Sequence, residues 1–342
     1  MCRWFQIMSK LFGNIIKIMA AASAIFLLGA AAFFYQSFFK PAFPAKSALT
    51  PFVVGQGDNL FKIAANLENA GFISNQWVFD AYVLLKRKYN VLQAGTYFLT
   101  PASSAKEIAD AIIDGDTALV TVTVPEGLTI QQTEERLREL GAIGISGQKA
   151  ERWKSEFGFL QSVPQNASLE GFLFPDTYHF PYGLETEGVT RSMLENFDQK
   201  MSEEMKTEIE SPKKTIFQIV TMASLIEKEV NTSEDRRIVS GILWKRMEAG
   251  IPLQVDATIA YITGKKTSNI SKDETAIDSP YNTYRYRGLP LGPISNPGKD
   301  SILAAIYPAE SNFWYYLSTP EGKTIFSRTL EDHNKAKVKY LK

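Results

Sequence analysis

The residues best placed to do chemistry lie in the stretch TIFQIVTMASLIEKE, Thr215 to Glu229. There Ile216, Ile219, Val220, Ala223, Ile226 and Glu227 fall on or near one apolar side of a helix. A carboxyl group at the edge of such a face loses hydration, which disfavours its charged form and suits it to hold and deliver a proton. Glu227 is therefore the candidate acid/base. Glu229, two positions on, points about 200° around the helix axis and cannot share that site. It is expected to be solvated, or paired with Arg236 or Arg237. On helical pattern alone, Glu227 would read as a glutamate at a surface edge. The loops that follow favour chemistry. Leu253 to Thr258, Ser279 to Tyr284 and Gly288 to Gly298 are rich in Gly, Pro, Asn and Tyr. Such loops form no core of their own and have the composition of a sugar-binding groove: aromatic faces for pyranose rings, amides for hydroxyls, and prolines that hold the loops open.

At this point the chain resembles a known family. Ala223-Ser224-Leu225-Ile226-Glu227-Lys228-Glu229, Gln254-x-Asp256, Tyr281-Asn282-Thr283-Tyr284, Gly288-Leu289-Pro290-x-x-Pro293-Ile294-x-Asn296-Pro297-Gly298 and His333-Asn334 are similar, in order and spacing, to motifs of the endolytic murein transglycosylases, the YceG-like family. Glu170-Gly171-Phe172-Leu173-Phe174-Pro175-Asp176-Thr177-Tyr178 fits the same series. The resemblance implies cleavage without water of the β-1,4 bond between N-acetylmuramic acid and N-acetylglucosamine, leaving a 1,6-anhydro-muramyl end. It implies Glu227 as the catalytic glutamate, giving a proton to the glycosidic oxygen and then taking that of the muramyl C6 hydroxyl. Hydrolytic glycosidases generally use two carboxylates; with a nucleophile supplied by the substrate, one suffices. Gln254 and Asp256 are then orienting or sugar-binding groups, with a direct catalytic role for Asp256 the alternative. Tyr281, Asn282, Thr283 and Tyr284 are candidates for groove contacts or for plain loop packing. Asn296 shapes its loop or meets substrate, and His333 and Asn334 either reach the groove or sit on an exposed terminal helix. Two positions depart from the family pattern: Val255 replaces a small hydroxyl residue and Lys245 replaces Asn. A catalytically idle glycan-binding scaffold and a lysozyme-type hydrolase are the competing functions.

The elements that must position these groups begin with an anchor. Ile18 to Phe39 carries no charge over roughly 22 positions, enough helix to cross about 30 Å of hydrocarbon. Arg3, Lys10 and Lys17 precede it, so the positive-inside tendency leaves residues 1–17 as a cytoplasmic tail and the catalytic part outside a cell membrane. A cleaved signal peptide is the alternative, but the run is long and ends in Phe33, Phe34, Tyr35, Phe38 and Phe39, which suit an interfacial belt. Residues 40–50, with Pro41 and Pro44, form a linker. Val54-Gly55-Gln56-Gly57-Asp58-Asn59-Leu60 then reads as strand, turn and capped helix, with Gly71 at its end. This opening resembles LysM, a small module of glycan-binding proteins, and places a LysM-like module at 51–116. A second copy starts at Val124-Pro125-Glu126-Gly127-Leu128-Thr129-Ile130, with Leu137, Gly141 and Ile143 matching Leu67, Gly71 and Ile73, so a β-turn-α repeat spans about 122–145 inside a catalytic domain at 117–342. The fold class expected is α+β, with these small units leaning on a mixed sheet-and-helix catalytic domain.

Composition sets outer limits. Equal numbers of basic and acidic side chains, 37 of each, give no net field towards nucleic acid. A single cysteine, Cys2, and two histidines, His179 and His333, exclude an intrachain disulfide and offer no cluster of metal-ligand spacing, so neither metal nor cofactor is expected. The expected partners are peptidoglycan glycan strands and, by topology and family, membrane-bound wall synthases.

Overall fold

The computed structural model describes residues 2–41, 48–138, 144–210, 214–266 and 270–341, with side chains from Asn14 onward. Most of the expected linker (42–47), the Gly141 and Ile143 of the second repeat, and the side chains of Cys2, Arg3 and Lys10 lie outside that description. The chain divides into two compact units, 1–119 and 120–342.

The first unit opens with one continuous helix, α1 (Cys2–Phe39). The helix does not start at the apolar run. The preceding residues contain no proline to end a helix, and the basic tail joins the same helix. Its Asn14–Phe39 part, 26 residues, is long and apolar enough to cross a membrane. Phe38 is the exception to its exposed surface: it is buried in the core of its own unit, with its ring 4.3 Å from that of Tyr82. The body of the unit runs β1 (Thr50–Val54), α2 (Leu60–Asn69), α3 (Gln76–Leu85), β2 (Gly95–Leu99) and α4 (Ala105–Asp114). The strands pair antiparallel, Thr50 opposite Leu99 and Val54 opposite Gly95. Asn59 caps α2, accepting from Lys62 N at 2.9 Å, while Asp58 accepts from Gly55 N at 2.9 Å. Gly71 follows α2 with φ +76°, where a Cβ would be strained. Leu60, Ile63 and Leu67 from α2, Phe79 from α3, Tyr97 from β2 and Ile108 and Ile112 from α4 close one core.

The second unit is a helical assembly with two small sheets. Its elements are β3 (Leu119–Thr123), α5 (Ile130–Leu137), β4 (Thr177–Pro181), α6 (Thr186–Lys200), α7 (Glu203–Glu210), α8 (Ile216–Glu229), α9 (Ser233–Glu248), α10 (Asp256–Thr263), α11 (Lys299–Ile306), β5 (Tyr315–Ser318), β6 (Thr324–Ser327) and α12 (Leu330–Tyr340). β3 pairs with β4, and β5 with β6 antiparallel; among the described residues no sheet has more than two strands. The α+β class stands, with helices as the main material of the core. α8 is the reason. Every residue from Ile219 to Ile226 is buried, so this helix is covered on all sides, and a segment buried all round needs helices packed about it. α7, α9, α10 and α11 supply them. A capping box between Thr215 and Gln218 starts α8.

Two close approaches are permitted only by glycine. Gly171, at φ +90°, faces Pro293 and Val220, and an added Cβ would lie 2.6 Å from the proline. Gly241, in α9, faces the backbone carbonyl of Ala309, and its Cβ would lie 2.0 Å from that oxygen. Gly241→Ala is therefore expected to destabilise the second unit by about 1–3 kcal/mol through overpacking against backbone that has no rotamer to yield, read as a lowered denaturation midpoint.

Candidate active site

The C-terminal end of α8 carries two glutamates that face different surroundings. Glu227, the expected acid, is already committed. Its Oε1 accepts from Arg236 Nη2 at 3.0 Å and its Oε2 from Gly298 N at 3.0 Å, with side chains only 6% and 10% exposed for the glutamate and arginine. Arg236 Nε also reaches Val230 O at 3.3 Å. The pair ties α8 to α9 and to the loop before α11. Both carboxylate oxygens thus have partners within the protein, and the side chain is fixed between two helices and a loop. Its negative charge reaches Glu126, whose carboxyl is pushed above the usual range first by burial and then by Glu227.

Glu229 differs from the expectation of a solvated or arginine-paired side chain. Arg236 is taken by Glu227, and Arg237 Nε donates to Tyr307 O at 3.2 Å. Glu229 instead accepts from the backbone N–H of Ala257, at the start of α10, and from Tyr316 on β5. Burial, and then the negative charge of Asp256, push its carboxyl up to about 7. Asp256, the first residue of α10, is itself held by the Tyr284 hydroxyl. A carboxyl that titrates near neutrality beside a second, hydrogen-bonded carboxylate is the arrangement that divides acid and charge-stabilising roles between two like groups.

Around this pair stand groups the sequence named and groups it did not. Gln254 is exposed, in a left-handed conformation with φ +53°. Arg246 Nη2 anchors it, donating to Gln254 Oε1 at 3.0 Å and Pro252 O at 2.6 Å. The Arg246 guanidinium lies 5.8 Å from the ring of Tyr315, which stacks on His333 at 5.3 Å. Burial, followed by the charges of Lys337 and Arg246, depresses the His333 imidazole below its ordinary value, so the ring is neutral. Its Nδ1 is buried with no hydrogen-bond partner. Asn334 follows on an exposed position of α12. Glu229, Asp256, Tyr284, Tyr316, Gln254, Arg246, Tyr315 and His333 thus form one connected series. The missed members had weak signals. Tyr315 and Tyr316 read as ordinary strand aromatics, and Arg246 as a helix charge.

Three expected groove contacts are spent inside the protein. Asn282 is fully buried; its Nδ2 donates to Thr275 O and Ile277 O, and its Oδ1 accepts from Tyr284 N at 2.9 Å. Thr283 Oγ1 accepts from Val255 N at 3.0 Å and meets Thr258 Oγ1 at 3.1 Å. Asn296 Oδ1 accepts from Gly171 N and Leu173 N, while its Nδ2 donates to Leu128 O. Irregular backbone buried without such partners would be costly, so these side chains staple the loops. Tyr281 packs on Tyr261, ring centroids 5.0 Å apart. The two departures are also absorbed: Val255 is buried, and Lys245 Nζ donates to Ser311 O and Phe313 O just ahead of β5.

Glu170 had been singled out only as part of a motif. It is buried, accepts from Ile130 N at 2.9 Å, receives Tyr261 OH at 3.4 Å, and is pushed up to about 8 by burial. The folded protein thus keeps a proton that the unfolded chain releases near the ordinary value of 4.5. This group's stability contribution is fully present below the unfolded value and is lost as pH rises through about 8. Glu170→Gln is expected to flatten the fall in denaturation midpoint across that window. Arg236→Met leaves Glu227 buried without its cation and is expected to cost about 3–5 kcal/mol, whereas Glu227→Gln with Arg236→Met together recovers part of that loss in chemical denaturation.

Comparison with known proteins agrees with the motif series. The family model described as "YceG-like family" matches residues 52–339. A Bacillus subtilis (strain 168) protein named endolytic murein transglycosylase is 30% identical over 332 residues, covering 92% of this chain and 91% of its own. A Streptococcus pneumoniae serotype 2 protein of the same name is 31% identical over 313 residues, covering 82% of this chain; the match spans 56% of the pneumococcal protein, about half its length. A 2.6 Å crystal structure of a putative YceG-like protein from Listeria monocytogenes superposes with a TM-score of 0.58 at 30% identity, covering 85% of this chain and 99% of that one. With a family match over residues 52–339, which takes in every motif that builds the site, the chain belongs to the YceG-like family.

Proposed function

We propose that this chain is an endolytic peptidoglycan lytic transglycosylase in which Glu229 is the acid and base. The observation that carries the reading is Glu229 itself, a carboxyl poised near 7 at the mouth of Gly/Pro/Tyr-rich loops, beside Asp256 and under Tyr316. Relatives named endolytic murein transglycosylases over most of the chain support the substrate and the bond. This reading prefers Glu229 to Glu227 as the acid, because both oxygens of Glu227 already accept from Arg236 and Gly298.

In the mechanism, protonated Glu229 gives its proton to the oxygen between muramic acid and glucosamine as the C1–O bond breaks. Positive charge grows at C1, and the negative charge of Asp256, ordered by Tyr284, opposes it. The muramyl C6 hydroxyl attacks C1 and its proton passes to the Glu229 carboxylate, restoring the acid. One glutamate serves both steps because the nucleophile comes from the sugar. Gln254, anchored by Arg246, is placed to hold a hydroxyl or acetamido group, and Tyr281 and Tyr284 to face pyranose rings.

The same reading treats residues 18–39 as a membrane anchor, with residues 1–17 in the cytoplasm and the chain beyond the anchor outside. Residues 51–116, which run from β1 to α4, are read as the LysM-like, glycan-holding module. Nascent strands leaving membrane-bound synthases are the natural substrate for an enzyme tethered in that way.

Glu229→Gln is expected to keep the fold and strand binding while lowering cleavage by about three orders of magnitude or more, whereas parental cleavage by that variant would remove Glu229 from the role. Parental activity should fall as pH rises through about 7, where the proton that Glu229 must donate is lost. Mass spectrometry of released fragments separates the alternatives: anhydro-muramyl ends support the transglycosylase, reducing ends a hydrolase, and no fragments from folded protein a scaffold.

A further inference from the structure

Beside the acid, the second unit carries two cavities that share a wall. The first, about 460 Å³, opens between the N-terminal turn of α5 and one face of α10, lined by Thr129, Gln131, Lys228, Ala260 and Tyr261. Ala257 also borders it, and the Ala257 N–H is the one that Glu229 accepts. The second, about 640 Å³, lies along β3 and the outer side of α5, with Thr121, Thr123 and Arg136 in its wall. Gln132 lines both. The order is therefore acid, start of α10, first cavity, Gln132, second cavity.

We propose that these two cavities are consecutive subsites of a single groove that binds the glycan strand well beyond the bond being cut. The inference rests on the activity proposed above and adds where the rest of the strand lies. Each cavity falls in the size range of small-ligand sites, and their linings match an oligosaccharide more than a compact apolar ligand. Hydroxyls and amides from Thr129, Gln131, Thr121 and Thr123 alternate with the Tyr261 ring and small apolar side chains. Lys228 and Lys265 line the first cavity and Arg136, beside Glu135, the second; the cations are suited to carboxylates on muramyl units. A small ligand would fill one cavity. A polymer fills both, and a cut within a strand requires the strand to continue past the acid. Glu170 lies beneath the first cavity, bonded to Tyr261 and to Ile130 N, and its retained proton keeps a negative charge out of that wall.

The test uses full-length protein in detergent and glycan strands freed of stem peptides, as a tetrasaccharide and as strands several times longer. Ala260→Trp fills the first cavity and Thr123→Trp the second. Binding is measured on a Glu229→Gln background, so that it does not depend on turnover, and cleavage on the parental background. The expected result is a loss of about tenfold in affinity for long strands in each variant, with the preference for long over short strands reduced and the fragment-length distribution changed. Retained melting temperatures show that the fold is intact; if Ala260→Trp lowers its own, Thr123→Trp and Gln131→Glu carry the measurement. Long-strand binding and fragment lengths that match the parent in folded variants overturn the proposal, as does failure of the Glu229→Gln protein to bind strands at all. Absence of cleavage by the parent with strand binding weakened by tryptophan overturns the activity reading and leaves the groove in place.

Discussion

The site depends on the Glu227–Arg236 ion pair at the end of α8. Both partners are nearly inaccessible, and the second glutamate oxygen takes the backbone N–H of Gly298, so helices α8 and α9 and the loop before α11 meet at one charged point. Charges are expensive to bury, and this pair is tolerated because its partners and geometry are complete. With that end of α8 held, the backbone delivers Glu229 to the opposite side, about 200° around the axis. There it meets the start of α10 and a strand tyrosine, with too little water to favour its charge and a carboxylate neighbour that disfavours it further. One glutamate serves as the fixed point from which the other is presented.

The loops obey the same economy. Sequences rich in Gly, Pro and Asn must place many backbone donors and acceptors without a sheet to pair them. Asn282 and Asn296 each satisfy several of those groups, so the amides that looked available to sugars are part of the scaffold. What the staples leave at or near the surface is Gln254 held by Arg246, Asp256 held by Tyr284, and the half-buried rings of Tyr281 and Tyr284. The His333 ring closes the series from the far end of the chain, neutral and stacked on Tyr315.

Much was determined by the sequence alone: a helix long and apolar enough to cross a membrane, the two strand-turn-helix openings, an apolar face on α8 and the ordered motif series that marks the family. These are local patterns, fixed by periodicity, capping chemistry and side-chain type, and they need no knowledge of what lies across the core. The tertiary structure alone decided which polar side chain has which partner. Glu227 and Glu229 differ in sequence by two positions of one helix, and no pattern within that helix reveals that Arg236 and Gly298 will close on the first while Tyr316, Asp256 and the N–H of Ala257 surround the second. The proton affinity of Glu229 follows from burial and from Asp256 and Tyr316, distant in the chain, and a carboxyl group becomes an acid by its neighbours' charge and its loss of water, which only packing supplies.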